Sequence, residues 1–250
     1  MRFTVALEGR NLPVVLAIAW APPAGAPDLA KRNAMWLRGE EHERYARFAV
    51  EHARGDFLAG RIAAKSAVLA LAPGTRAEDW EIVRGLWHQP CLRGPVAGLA
   101  VTLAHADGIG LAVACDDRRI CGIDLEASVR DAVSAIETQV SAPEAAWARA
   151  GADAREQNER WLLLWTAREA QGKCLRTGLL FPHALAETHS WQPAPHGWRA
   201  QLGDSDLLGA RAIVTRRHVV SLVAARMDMH AIDAAAAWLH RELERPIATG

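Results

Sequence analysis

The sequence predicts an α+β fold. Three observations carry that prediction: apolar stretches paired across tight turns, amphipathic helical patterns in both halves, and a weak internal echo. The paired stretches are Leu99–Leu103 with Ile109–Cys115, and Ala210–Thr215 with Val219–Arg226. The strongest helical patterns are Phe57–Leu71 and Asn158–Leu175. The echo sets V-T-L-A-H-A-D-G-I-G-L-A-V-A (Val101–Ala114) beside A-I-V-T-R-R-H-V-V-S-L-V-A-A (Ala212–Ala225), each two strands around a tight turn containing a histidine. Chance similarity of two hairpins accounts for this, and so does a duplicated α+β unit with a site in the cleft between the halves.

Taken in order, Val14–Trp20 reads as a first strand and Ala21–Pro27 as a loop of proline and alanine. Glu8 between Arg2 and Arg10, with Pro13 interrupting the apolar run, argues against a secretory leader. Glu40–Val50 reads as helix. In Phe57–Leu71, Leu58, Ile62, Ala63, Ser66, Leu69 and Ala70 keep to one stripe, and Pro73-Gly74 ends the helix. Trp80–Trp87 reads as a strand and His88–Gly98, rich in proline and glycine, as a loop. Ala106–Gly108 is the turn of the first strand pair, Asp116-Asp117 a further turn, and Ile120–Leu125 a third strand. The second half opens with helical segments over Asp131–Gln139, Pro143–Arg149 and Asn158–Leu175. A loop with Gly178 near its start leads to strands around Trp198–Leu202, Ala210–Thr215 and Val219–Arg226. An alanine-rich helix, Ile232–Glu244, closes the chain with a frayed tail.

With 250 residues, half of them hydrophobic and 23% charged, the chain has the composition of a soluble globular protein. Its net charge of zero gives no general attraction to nucleic acid or anionic membrane, so any basic site is local. The ten tryptophans are expected mostly in the core or in helix packing, and without a basic groove beside them they do not indicate base stacking. No apolar run reaches the length of a membrane span. Cys91, Cys115, Cys121 and Cys174 form neither a C-x-x-C pair nor a His-spaced metal pattern, which predicts buried thiols in a reducing, cytoplasmic setting.

The chemistry concentrates in C-G-I-D-L-E (Cys121–Glu126) and W-T-A-R-E-A-Q-G-K (Trp165–Lys173). On a strand, Asp124 and Glu126 share a face, and two like charges there are unfavourable unless a cation offsets them. On a helix, Glu169 and Lys173 share a face with Trp165; taken alone, such an i,i+4 pair is an ordinary salt bridge worth about 0.2–0.5 kcal/mol. Three carboxylates and an ammonium converging on one point suit a hard cation that bridges phosphates. His105, at a turn before Asp107-Gly108, could grip a phosphate or be merely exposed. Arg54, Arg61 and Lys65 flank the Phe57–Leu71 helix and read more readily as a solvated face than as an anion site.

The order of the pieces adds to this: R-G-D-F-L-A-G-R-I-A-A-K (Arg54–Lys65), W-H-Q-P-C-L, V-T-L-A-H-A-D-G, G-I-D-L-E, and W-T-A-R-E-A-x-x-K. The series resembles the phosphopantetheinyl transferases of the Sfp type, whose stretches look like G-K-P, S-H-S-x-G, G-[IV]-D-[IV]-E and W-[ST]-x-K-E-[AS]-x-x-K. The resemblance runs from about Glu41 to the strand ending near Arg226, and its last two motifs are the specific ones. It implies a pseudo-two-fold monomer of two α+β halves, 1–118 and 119–250, the second with an added C-terminal helix and coenzyme A bound in the cleft between them. By the same resemblance Asp124, Glu126 and Glu169 hold magnesium against the coenzyme A pyrophosphate. Glu169 is also the base for the serine of an apo acyl, aryl or peptidyl carrier protein, and Lys173 neutralises phosphate charge. Arg54 and His105 contact the nucleotide phosphates, with Gln89, Pro90 and Ala104 at the positions of the coenzyme A motifs.

The departures are specific. G-K-P is His88-Gln89-Pro90, S-H is Ala104-His105, K-E-A is Arg168-Glu169-Ala170, and the first glycine of K-x-x-G-x-G is Arg176. Gln89 replaces a lysine expected near the coenzyme A nucleotide, Ala104 lacks a hydroxyl that could bond phosphate, and Arg168 keeps the charge. Weaker coenzyme A affinity, or compensation by Arg176, Arg168 or His88, is expected; with the metal triad and Lys173 intact, so is activity. Two alternatives follow: a catalytically impaired relative that binds coenzyme A or a carrier protein as a scaffold, and a metal-dependent phosphohydrolase. The latter lacks water-activating histidines or extra carboxylates near Asp124.

Overall fold

The computed structural model describes residues 2–6, 13–23, 29–128, 133–180, 187–203, 207–225 and 229–245. These form two compact units divided in sequence between Arg119 and Ile120. Both mix helices with antiparallel sheet, so the fold is α+β as expected.

The first unit contains β1 (Arg2–Ala6), β2 (Pro13–Trp20), α1 (Leu29–Trp36), α2 (Glu40–Arg47), α3 (Glu51–Leu71), a 3-10 turn at Ala77–Asp79, β3 (Glu81–Arg84), β4 (Pro90–Arg93), β5 (Leu99–Ala106) and β6 (Ile109–Asp116). Its main sheet runs β1-β2-β6-β5, and β3–β4 is a separate hairpin. Helix α3 lays Ala63, Ala64, Ala67 and Val68 on Val15, Ala17, Ala112 and Ala114 of the sheet. Small side chains at this contact let helix and sheet approach closely. At Gly110 the approach is closest, and a Cβ there would overlap the backbone of Ala59. Strands β5 and β6 close through Asp107 and Gly108, both at positive φ, which is the two-residue turn whose twist matches a hairpin.

The second unit contains β7 (Cys121–Ala127), α4 (Val133–Glu137), α5 (Ala142–Arg149), α6 (Ala154–Leu175), β8 (Thr188–Ala194), β9 (Gly197–Leu202), β10 (Leu208–Val214), β11 (His218–Ala225) and α7 (Met229–Glu244). Its sheet runs β7-β11-β10-β9-β8. Helix α6 covers one face: Ala167, Ala170 and Cys174 pack with Ala200, Leu208, Ala210 and Val223, and Leu162 and Leu163 with Ala212 and Val219. The alternate residues Gly209 and Arg211 face α7, where they meet Met229 and Asp233. In each unit a strand (β2 or β7) leads to a long helix (α3 or α6), and a later hairpin (β5–β6 or β10–β11) returns its second strand beside the first.

Several expectations change. Helix α3 begins at Glu51 rather than Phe57, because its charged first turn shows no apolar stripe yet continues the same helix; Arg54 is therefore helical. Part of the expected loop His88–Gly98 is strand β4, with Pro90 at its first residue, a position that needs no strand N–H. Strands β1 and β8 and helix α1 were not foreseen from the pattern. Strand β7 reaches Ala127 and so includes Glu126. Of the four cysteines, none in a disulfide, Cys115 and Cys174 are buried as expected, but Cys91 and Cys121 are half-buried. Residues 24–27 of the expected first loop, the start of the Asp131–Gln139 helix, Arg226 and the tail after Arg245 lie outside the described residues.

Candidate active site

Strand alternation puts Gly122, Asp124 and Glu126 on the face of β7 that α6 covers. Gly122 is the reason the helix can lie there. A Cβ at that position would run into the carbonyl of Ala170 and crowd the amide of Cys174. Two residues further, Asp124 Oδ1 accepts a hydrogen bond from Lys173 Nζ at 2.6 Å. Two further still, Glu126 Oε1 accepts from Trp165 Nε1 at 2.9 Å. Glu169 is four residues from each of these helix partners and stands between them on the same helical face.

Helix α6 is fixed at both ends and along its length. Asp153 caps its start through the Glu156 amide at 2.8 Å. Arg176 ends it in the left-handed region at φ 60°, with Thr177 N donating to Gly172 O at 3.0 Å. In between, Thr166 Oγ1 donates to Leu162 O at 2.9 Å and meets Ser221 Oγ of β11 at 2.7 Å. Ser221 is the cross-strand partner of Asp124, so this buried hydroxyl pair ties the helix to the strand beside the acidic one.

The electrostatics follow from burial. Asp124 is only 6% exposed. Burial pushes its carboxyl up to about 6; the Lys173 ammonium opposes this, while Glu126 and Glu169 add to it. The four groups therefore share one field. Asp124 Oδ2 is buried and has no hydrogen-bond partner, an acceptor left open in a site of hard oxygen donors. That donor chemistry fits a hard divalent cation. Among the described residues, however, no three His, Cys, Asp or Glu side chains are gathered as a ready ligand set, and Lys173 and Trp165 engage two of the carboxylates.

The other anticipated residues belong to the first unit. Arg54 Nε donates to Phe48 O at 2.7 Å, and Arg54 lines a cavity of about 450 Å³ with Tyr45, His52, Asp56, Asp107 and Gly108. His105 is on β5, exposed, with its ring against Gly60 of α3; Ala104 beside it is buried. Gln89 lies at the turn between β3 and β4. Its Oε1 accepts from Trp87 N at 2.9 Å and closes the β3–β4 turn, and Pro90 opens β4 opposite Arg84.

Two features escaped sequence reading. The Thr166–Ser221 pair joins residues far apart in the chain, and no local pattern announces it. Arg168 is buried and paired with Glu144. The S-A-P-E capping box at Ser141–Glu144 was the one readable sign of that pairing.

No curated protein matches the chain. Residues 120–218, which hold β7, α6 and β11's first residue, match the family model of the 4'-phosphopantetheinyl transferase superfamily.

Proposed function

We propose that the chain transfers the phosphopantetheine arm of coenzyme A to a serine of an apo acyl, aryl or peptidyl carrier protein and releases 3',5'-ADP. The observation that carries the proposal is the face of β7 and α6 in the matched segment, where Asp124, Glu126, Glu169 and Lys173 stand together. In the reaction the serine Oγ forms a bond to the phosphorus that carries pantetheine. The bond from that phosphorus to the bridging oxygen breaks, and the electron pair leaves with 3',5'-ADP. Glu169, half-buried and next to the acidic strand, takes the serine proton. Lys173 neutralises charge as it moves from the attacking to the leaving oxygen. Asp124, Glu126 and Glu169 would hold magnesium, which would supply charge neutralisation on the pyrophosphate. Asp124 Oδ2 is the first acceptor for it.

Coenzyme A and the carrier protein are thus the expected partners, and a cytoplasmic monomer the expected form. Among the described residues no helix is long and apolar enough to cross a membrane.

One observation favours a second reading. Gln89 stands where the resemblance expects a lysine for the nucleotide, and its side chain is used inside its own turn. A scaffold that binds coenzyme A or a carrier protein without transfer would tolerate this. Mass spectrometry of apo carrier proteins incubated with the chain, coenzyme A and magnesium separates the two. A mass gain of one phosphopantetheine that a chelator abolishes supports transfer. Coenzyme A binding with no gain on acyl, aryl or peptidyl carriers rejects transfer in favour of the scaffold.

A further inference from the structure

Arg168 precedes Glu169 in α6 and faces elsewhere, since successive helical residues are about 100° apart. It is 4% exposed, yet its guanidinium is engaged on two sides. Nη2 pairs with Glu144 Oε2 at 2.9 Å, and Nη1 donates to the carbonyl of Gln139. Glu144 is itself a junction. Its Oε2 accepts from Ser141 N at 2.8 Å, at the start of α5, and its Oε1 accepts from Thr188 N at 2.8 Å, at the first residue of β8. One buried carboxylate thereby joins α5, β8 and α6.

We propose that Arg168 is a positioning residue for the transfer reaction: tied to Glu144, it sets the rotation of α6 that presents Glu169 and Lys173 to β7. This rests on the transfer reaction proposed above. A helix held along one face can roll about that contact, and a second tie on another face prevents the roll. Side-chain tips stand about 5–6 Å from the helix axis, so a roll of roughly 10° moves them by about 1 Å. A displacement of that size can lower a rate by about 100-fold. Lysine at 168 keeps the charge but not the planar fork that reaches both Gln139 and Glu144.

The test compares Arg168→Lys and Glu144→Gln in the full chain, with magnesium, coenzyme A and an apo carrier protein. Both variants are expected to lower kcat by about 10- to 100-fold while KM for coenzyme A stays within about twofold. The double variant should be no slower than the worse single one, as for two ends of one tie. A readout independent of turnover is the indole N–H resonance of Trp165, assigned with Trp165→Phe, which should move in both variants because its bond to Glu126 depends on the same rotation. Should Arg168→Lys fail to fold, Glu144→Gln carries the test. A wild-type kcat with an unmoved indole resonance would overturn the proposal and leave an ordinary buried ion pair. A raised KM at unchanged kcat would also overturn it, since the cation would then be touching coenzyme A. If the wild-type chain transfers nothing, the proposed function falls, and the indole resonance alone still decides whether Arg168 positions α6.

Discussion

At the scale of single residues, the buried carboxyl of Asp124 sets a stability that depends on pH. Its folded pKa of about 6 lies above the 3.8 of an exposed aspartate, so between those values the folded chain holds more proton than the unfolded one. Stability from this group is therefore greatest below pH 4 and is lost as pH rises through 6. The loss is on the order of 2–3 kcal/mol, in a chelator that excludes divalent cations. Asp124→Asn should accordingly be more stable than wild type at pH 7, with the difference closing towards pH 4; denaturant unfolding at the two pH values checks this. Under the proposed function, saturating magnesium should close that gap, stabilising wild type by about 2.7 kcal/mol at one hundred times its dissociation constant and leaving Asp124→Asn unmoved. Arg176 makes a second case. It holds a left-handed conformation at φ 60° that glycine adopts without strain. Arg176→Gly should stabilise the chain by about 0.5–1 kcal/mol, the relief of the left-handed strain less the entropy of glycine. A lowered melting temperature in that variant would count against the strain.

At the scale of elements, the contact between β7 and α6 is set by a missing side chain. Gly122→Ala would press a methyl group into the Ala170 carbonyl, which is backbone and cannot swing aside. The helix must shift, and overpacking of this kind costs about 1–3 kcal/mol. Because Lys173 and Trp165 lie on the shifted helix, the variant is expected to lose transfer more steeply than stability, a comparison made by measuring kcat and the urea midpoint on one preparation. This element pair was the most legible part of the sequence. Period-two spacing of Asp124 and Glu126, and four-residue spacing of Trp165, Glu169 and Lys173, need only regular secondary structure to bring them onto facing surfaces. Strand β8 was illegible for the opposite reason. Its Thr188–Ala194 run carries Pro193, a bulge between His189 and Gln192, and Ser190 at positive φ, so no alternation survives in the sequence. Gln89 is matched to a coenzyme A position by resemblance alone, and a residue type matched in that way says nothing of where its side chain turns. Here its Oε1 accepts from the amide of Trp87.

At the scale of the whole molecule, the recurrence of strand, long helix and returning hairpin in both units gives the echo between Val101–Ala114 and Ala212–Ala225 a topological content that sequence similarity alone did not have. The two units differ in what their long helices bury. Helix α6 places acidic partners around one lysine, whereas α3 buries two cations, Arg61 and Lys65, against the single carboxylate of Glu41 from α2. Lys65 Nζ is 2.6 Å from Oε2 and Arg61 Nε is 3.0 Å from Oε1, the latter without hydrogen-bond alignment. Burial pulls both cations down, Arg61 to about 10, and Glu41 opposes that pull. In the sequence Arg61 and Lys65 look like a solvated face, because a charged residue on a helix reads as exposed until its partner on another helix is known. The two-to-one arrangement makes the groups unequal. Removing Glu41 leaves two buried cations with no adjacent partner, and breaking such a pair costs about 3–5 kcal/mol. Replacing Lys65 with methionine leaves Glu41 paired with Arg61 and fills the same space with apolar atoms, a change that in buried ion pairs is often neutral or stabilising. Glu41→Gln should therefore unfold at far lower urea than Lys65→Met, and amide exchange should rise first in α2 and α3, where the partners lie. Equal loss in the two variants would mean that the lysine, not the carboxylate, is the group on which the packing of α2 against α3 depends.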